Sequence, residues 1–435
     1  MTSSTFEAQG SRPVRRLAVV DHVGNSGGGS RFLRALVPAL RRERSELEIT
    51  VFANEGSVDR DDLQVDFERA GVQTRLLRTV GRRSKNVLGV PGTRFIARRI
   101  QARTREGFYG LPAGLTGNLY AELEQSLRSY DLAYFPWPYG LRPPRLSCPM
   151  VATIHDLNYK YFFGSNVFSA KTLSRLEPQM SAWTEQATIV TSSAFMAGEL
   201  RRFYPQAASP RVVRLAPFSG LNDMSDQAAQ DHVRTLGVTG RYILYPTHPM
   251  THKNLGPLIG AVPLLRDEFP DLKLVFTGDG TQTATGSATS LAVEHGTGAV
   301  DVIGLGYVSN DQMDALIRCA AVLVSSSLYE TGNGPGLDAW FYGVPVAMSD
   351  IPQFREHIEV QGVWAEIFDP RDPRDIAAKI ASILRDENDA LARAAASATA
   401  IRSHTWNVAA KDYLTIFDDT LRSHQAATGV ASGHP

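Results

Sequence analysis

Cysteine is scarce: the 435 residues hold only Cys148 and Cys319, far apart and in neither metal-ligand nor redox spacing. That excludes a disulfide framework and predicts two structural thiols in a protein of the reducing cytoplasm. Net charge is lacking as well, because 45 Lys plus Arg balance 45 Asp plus Glu. No global field therefore favours nucleic acid as a partner. No apolar run reaches the roughly 18 residues that span a bilayer, and the opening stretch MTSSTFEAQGSRPV has no apolar signal core. No internal repeat is present, and no Asp-x-Asp pair sits at an expected strand end to hold a divalent cation. Neither a bound metal nor a cofactor is expected.

What is present is an alternation. From Arg15, short β-branched runs (RRLAVVDHV, LEITVFANE) alternate with amphipathic ones (RFLRALVPALRRE, DRDDLQVDFERAG), the pattern of a parallel sheet with helical crossovers. Further strands are expected at TRLLRTV, DLAYFPW, MVATIHDL, TIVTSS and RVVRLAP, and helices near 114–129, 170–187 and 194–204. After Pro217 the pattern lapses into the polar, turn-rich FSGLNDMSDQAAQ. RYILYPT then starts a second alternation, carried on by LKLVFTGDG, VDVIGLGYV, AAVLVSSSLYE and VPVAMSD. Ser309 and Gln312 form a capping box ahead of DQMDALIRCA. The fold class read from this is α/β, with two doubly wound, Rossmann-like domains, 15–220 and 221–405, facing one another across a cleft. Residues 1–14 and 425–435 are expected to be disordered.

In such sheets ligands lie beyond the carboxyl ends of the strands. In the second half those ends carry Lys253, Gly278, Gly306, Glu330 and the glycines Gly332, Gly334 and Gly336. Glycines let backbone N–H groups approach an anion, and a helix opening near Pro335 adds its positive end, so a phosphate is expected there. The G-x-G-x-G spacing is not the dinucleotide fingerprint, and no P-loop lysine follows it. Lys253, flanked by His248 and His252, can supply the cation. Glu330 and Asp338 would repel a phosphate but suit vicinal sugar hydroxyls. A nucleotide, a diphosphate and a second sugar satisfy the set.

The run from Glu330 to Asp338 resembles the Glu, seven residues, Glu signature of the retaining glycosyltransferases of group 1, family four. LKLVFTGDG, VIGLGYVSNDQMDALIRCAAVLVSSSLYE, YGVPVAMSD, VATIHDL and HTWNVAAKDYL are similar to stretches of that family in the same order, from about 15 to 420. The resemblance implies the GT-B fold. It implies Glu330 on the transferred sugar, Asp338 on the ribose, the backbone amides around Asn333 to Gly336 (Asn333, Gly334 and Gly336, with Pro335 between them) near phosphates and sugar, and Lys253 on the diphosphate. Gly306 and Tyr307 would edge the base, and Gly278 would belong to the same donor site. His155 would face the donor sugar, and Gly27, Gly28 and Gly29 would admit phosphate or acceptor. Residues 406–424 would form a terminal helix returning to the first domain. By the same token the donor would be a GDP- or UDP-hexose, with HPMTHKN similar to the lysine loop of some mannosyltransferases, and the acceptor a glycan or a lipid-linked acceptor. The leaving diphosphate would accept the acceptor's proton, and no metal would be needed. Two departures stand out: the second acid is Asp rather than Glu, and His248 stands where an arginine usually accompanies the lysine.

Between Arg75 and Arg105 the chain carries ten Lys or Arg and no acid, interleaved with apolar residues. A solvated face, a peripheral contact with the inner face of the membrane, and a site for an anionic acceptor all fit this stretch. Two other functions fit the same scaffold: an isomerase or phosphorylase, and a non-catalytic module that binds sugar nucleotides. Omitting the acceptor or inorganic phosphate from a turnover assay separates the first from a transferase; calorimetric binding without turnover identifies the second.

Overall fold

A computed structural model describes residues 12–22, 28–54, 63–77, 113–162, 170–219, 224–283 and 302–429. The expectations placed on 1–11, on Gly27, on 78–105 and on 430–435 lie outside the described residues.

Among the described residues, seven strands build the first sheet: β1 Arg16–Asp21, β2 Glu48–Asn54, β3 Gln73–Leu77, β4 Leu132–Phe135, β5 Met150–Thr153, β6 Thr188–Thr191 and β7 Arg211–Val212. Among them the second sheet has six: β8 Tyr242–Pro246, β9 Lys273–Thr277, β10 Val302–Gly304, β11 Val322–Ser325, β12 Val346–Ser349 and β13 Glu366–Phe368. Every pairing between these strands is parallel. The first sheet has the order β3-β2-β1-β4-β5-β6-β7 and the second β10-β9-β8-β11-β12-β13. Strand order reverses between β1 and β4 and again between β8 and β11, which opens a crevice at each switch point. The central strands LAYF, MVAT, VLVS and VAMS are buried along their whole length. Helices cover both faces of such a sheet, and this is why these strands read as continuous apolar runs. β13 was not among the expected strands; it is a three-residue edge strand, too short to show a period.

The helix Gly28–Glu43 buries Phe32, Leu33, Leu36 and Leu40, a helical spacing. The terminal helix, Trp406–Thr428, belongs to the first domain in space, burying Trp406, Ala410, Tyr413 and Phe417. Asp418 docks it: one carboxylate oxygen accepts the Val14 N–H at 2.8 Å, and Arg44 donates to both oxygens at 2.9 and 2.6 Å. Val14 is fully buried, so order begins before residue 15. At the other end the helix runs past 424 to Thr428, because Gln425, Ala426 and Ala427 offer no break before Gly429 caps it at φ 67°.

Candidate active site

Beyond β8 the chain makes one 3-10 turn, Thr251–Lys253, which ends on Asn254 in the left-handed region at φ 53°. The Asn254 amide donates to the carbonyls of Ser326 and Pro370 at 3.1 and 2.7 Å, so the turn is locked to the end of β11. That lock brings Lys253 onto Glu330 as an ion pair, and Ser327 donates to the same Glu330 oxygen at 2.9 Å. Burial works to discharge both groups, but mutual attraction outweighs it. The ammonium is held above its usual range and the carboxylate below. Their side chains remain 18 and 20% exposed, so the pair is open to a ligand.

The two histidines beside the pair, His248 and His252, and His155 of the first domain are uncharged near neutrality. Burial, then the charge of Lys253, lowers His248; the same two causes bring His252 down to about 4. His248 therefore adds no positive charge in place of an arginine. Burial takes His155 to about 3. Its Nε2–H donates to the Pro136 carbonyl at 3.0 Å, and its ring stacks on Trp137 at 3.8 Å with the Phe32 ring edge-on at 5.0 Å.

The glycine loop is shaped by packing as well as by its amides. Asn333, left-handed at φ 44°, precedes the helix Gly334–Tyr342, with Pro335 in its first turn. The buried Asn333 Nδ2 has no hydrogen-bond partner among the described residues. A Cβ at Gly332 would stand 2.8 Å from Leu215 Cδ1, and one at Gly334 3.0 Å from the Phe218 ring. Those glycines admit the linker between the domains, which the sequence did not suggest. Gly336 lies against the Asn333 side chain.

Asp338 corrects an expectation. It is 0% exposed. One oxygen accepts the N–H groups of Phe218 and Ser219 at 2.6 and 2.8 Å, and the other faces the Arg31 guanidinium at 2.9 Å. Placed a turn into its helix, the side chain points at the linker and the first domain, so it is closed to a ribose. Arg31, from the helix that opens on Gly28 and Gly29, also approaches Asp314 at 3.5 Å and lies over the Phe218 ring. Burial raises Asp314 to about 6 in spite of Arg31.

Gly278 and Gly306 end β9 and β10 side by side, the Gly278 N–H donating to the Gly306 carbonyl at 2.7 Å. Gly278 has φ 122°, and a Cβ there would fall 1.9 Å from the Thr247 carbonyl oxygen, so no other residue fits. Tyr307, next along, is 45% exposed at the rim. Gly28 is exposed and Gly29 buried at the mouth of the first domain.

Across the crevice the first domain presents the loop after β5. Tyr139 clamps it: its hydroxyl donates to the Asp156 carbonyl at 2.6 Å and receives the Asp156 N–H at 2.9 Å. The Leu157 N–H donates to the Tyr329 hydroxyl at 3.2 Å, bridging the domains one residue from Glu330. Ser192 reaches the Thr331 carbonyl at 3.3 Å, and Glu356 caps the helix Ala194–Phe203 through two N–H groups, each at 2.7 Å. Among the described residues no three His, Cys, Asp or Glu side chains gather as a metal site. A surface hollow of about 560 Å³ bordered by Asp226, Val233, Tyr242 and Cys319 lies at the opposite ends of the strands, away from all these groups.

Residues 234–386 match the family model described as Glycosyl transferases group 1. The chain is 24% identical over 278 residues to the phosphatidyl-myo-inositol mannosyltransferase of Mycobacterium leprae, covering 63% of this chain and 68% of that protein. It is 28% identical over 284 residues to a glycogen synthase of Mycobacterium tuberculosis, covering 64 and 63% respectively. It thus spans about two thirds of the length of these relatives. In fold it is similar to HepE of Anabaena, solved in complex with UDP-glucose: the TM-score is 0.62 at 15% identity, over 95% of this chain and 99% of that one.

Proposed function

Residues 234–386 are a group 1 glycosyltransferase domain within a GT-B chain, and from that premise we propose that the protein moves a hexose of mannose or glucose type from a nucleotide diphosphate sugar to a hydroxyl acceptor, with retention of configuration. The observation that carries the reading is the Lys253–Glu330 pair, open at the strand ends beside the amino end of the helix Gly334–Tyr342.

The division of labour follows from charge. As the bond between the anomeric carbon and the diphosphate oxygen breaks, negative charge grows on the diphosphate. In this reading Lys253 and the amides around Asn333 to Gly336 stabilise it. Glu330 then exchanges its partner Lys253 for hydroxyls of the transferred sugar. Gly278, Gly306 and Tyr307 border the nucleoside, and His155 lines the sugar's far side from the first domain. With a lysine and a helix terminus on the diphosphate, the reaction needs no divalent cation.

The donor is a GDP- or UDP-hexose and the acceptor a glycan or a lipid-linked acceptor. The mannosyltransferase and glycogen synthase relatives and the UDP-glucose-binding neighbour support that range. Melting the protein with UDP, GDP and their glucose and mannose derivatives, then following slow hydrolysis of each, tests the reading. One nucleotide is expected to raise the melting temperature by mass action, and hydrolysis is expected to survive excess chelator. An absolute requirement for added Mg²⁺ would sink the metal-free mechanism, and no stabilisation by any nucleotide would sink the donor assignment.

No helix among the described residues is long and apolar enough to cross a membrane. We assign the basic stretch 75–105 to a cytoplasmic, peripheral contact with an anionic lipid surface or anionic acceptor, on the strength of its charge alone. Neutralising Arg82, Arg83 and Lys85 together should release the protein from anionic vesicles, at about 1 kcal/mol per charge. Equal co-sedimentation of variant and parent would leave the stretch a solvated face.

A further inference from the structure

Tyr329 follows β11 in the second domain, but its side chain is seated in the first, where it is only 5% exposed. The hydroxyl accepts the Leu157 N–H at 3.2 Å and donates to the Met196 sulfur at 3.8 Å. The ring lies against Tyr161, Phe162 and Phe195 at centroid separations of 5.3, 6.4 and 6.4 Å. All five partners come from two first-domain segments, the loop after β5 and the helix Ala194–Phe203. Two residues on, the Thr331 carbonyl accepts from Ser192, again of the first domain, at 3.3 Å. Glu330 is therefore flanked on both sides by contacts with the other domain.

Lys253 stands differently. Its turn is locked to Ser326 and Pro370 within the second domain, so the ammonium keeps its place whatever the first domain does. Within the second domain the loop that carries Glu330 is held by the Leu328 N–H, which donates to the His252 carbonyl at 2.7 Å, and by the His357 ring, which donates to the Thr331 carbonyl at 3.3 Å. These bonds hold residues 328 and 331. At 329 the hold comes from the first domain.

We propose that Tyr329 is a positioning residue: seated between the loop after β5 and the helix Ala194–Phe203, it fixes the backbone that carries Glu330 where the acid meets the transferred sugar. The inference rests on the glycosyltransfer reading above and deepens it. Tyr329 touches no reacting atom, since its hydroxyl and ring are enclosed by protein. Burial pushes the phenol well above its usual range, so the hydroxyl stays protonated and serves as a hydrogen-bond partner only. Opening the crevice draws the ring from its seat and frees the loop; closing returns it. The nucleotide and diphosphate are assigned to second-domain groups that the seat does not touch, so holding the nucleotide and placing the sugar are separable. A misplacement of about 1 Å at a reacting centre costs on the order of 100-fold in rate, and that is the scale set by loss of the seat.

Hydrolysis of UDP-glucose or GDP-mannose provides the assay, with thermal stabilisation by UDP or GDP alongside. Tyr329→Ala is expected to lower kcat by about 100-fold, while the KM for sugar nucleotide and the stabilisation by UDP or GDP stay as in the parent. Tyr329→Phe keeps the ring in its seat and loses the hydroxyl contacts, so it should recover most of the rate, to within about tenfold of the parent. Tyr161→Ala removes a ring packed on Tyr329 from the first-domain side and should also lower kcat. Combined with Tyr329→Ala it should be no slower than Tyr329→Ala alone, because both remove the same contact. A tyrosine that only stabilised the fold would lower the melting temperature and leave kcat per folded molecule unchanged. That result in Tyr329→Ala, or in Tyr161→Ala should Tyr329→Ala not fold, would overturn the positioning role and leave the donor reading standing, as would a rise in KM equal to the fall in kcat. A parent that neither binds UDP or GDP nor hydrolyses either sugar nucleotide would overturn both.

Discussion

Lys253→Ala is expected to lower kcat/KM by about 10³-fold, the loss seen when one preorganised donor to a developing anion is removed. The change acts twice. It withdraws the ammonium from the diphosphate, and it leaves Glu330 partly buried with Ser327 as its hydrogen-bond donor among the described residues. Because charge on the diphosphate grows as its bond to the sugar breaks, kcat should fall by more than KM rises. Glu330→Gln provides the companion measurement. It keeps the size and one acceptor oxygen and frees Lys253, so donor affinity should change little while kcat falls. The two residues form one unit, and the double variant should be only slightly worse than Lys253→Ala alone. Unchanged steady-state kinetics in Lys253→Ala would remove the pair from the site, and KM-only effects in both variants would make it a binding clamp without a catalytic part.

Asp338→Ala should act on stability first. It removes the acceptor of two buried N–H groups and leaves the Arg31 guanidinium, 14% exposed, with the longer contact to Asp314 and the Phe218 ring. Truncating one partner of a buried ion pair costs roughly 3 kcal/mol or more, a fall of roughly 5–10 °C in melting temperature. Arg31→Ala should lose less, and the double variant less than the sum of the two, since each removes the same contact. A melting curve like the parent's, with a selective rise in donor KM, would return Asp338 to the ribose and show that the helix turns on donor binding.

The alternation of strands and helices was legible because buried parallel strands must be apolar along their length, and LAYF, VLVS and VAMS are. The approach of Lys253 to Glu330 was legible too, since both follow neighbouring strands of one sheet. Facing was not. Seven residues separate Glu330 from Asp338, and nothing in that spacing says that the helix turns the second acid toward the linker. Its partner Arg31 lies in the other domain, so no local pattern could announce it. Gly332 and Gly334 read as space for a phosphate, whereas Leu215 and Phe218 occupy the space beside their Cα atoms. The loop after β5 is carried to the second domain by the Tyr139 clamp and the Tyr329 bridge, long-range contacts that no local pattern announces.

The return of the terminal helix to the first domain means that the chain passes between the domains twice, and the two passages lie together. The Trp406 indole N–H donates to the Pro217 carbonyl at 2.8 Å, its ring packs on Phe218, and the His404 ring donates to the Arg214 carbonyl at 3.2 Å. A single tether would act as a ball joint, leaving the domains free to swivel and twist. Two tethers laid side by side and stitched to one another act as a leaf hinge, in which torsion is resisted and one bending motion remains. Opening for substrate exchange is then guided back to the same registration on every cycle, which a reaction requiring groups from both domains within ångströms of each other depends upon.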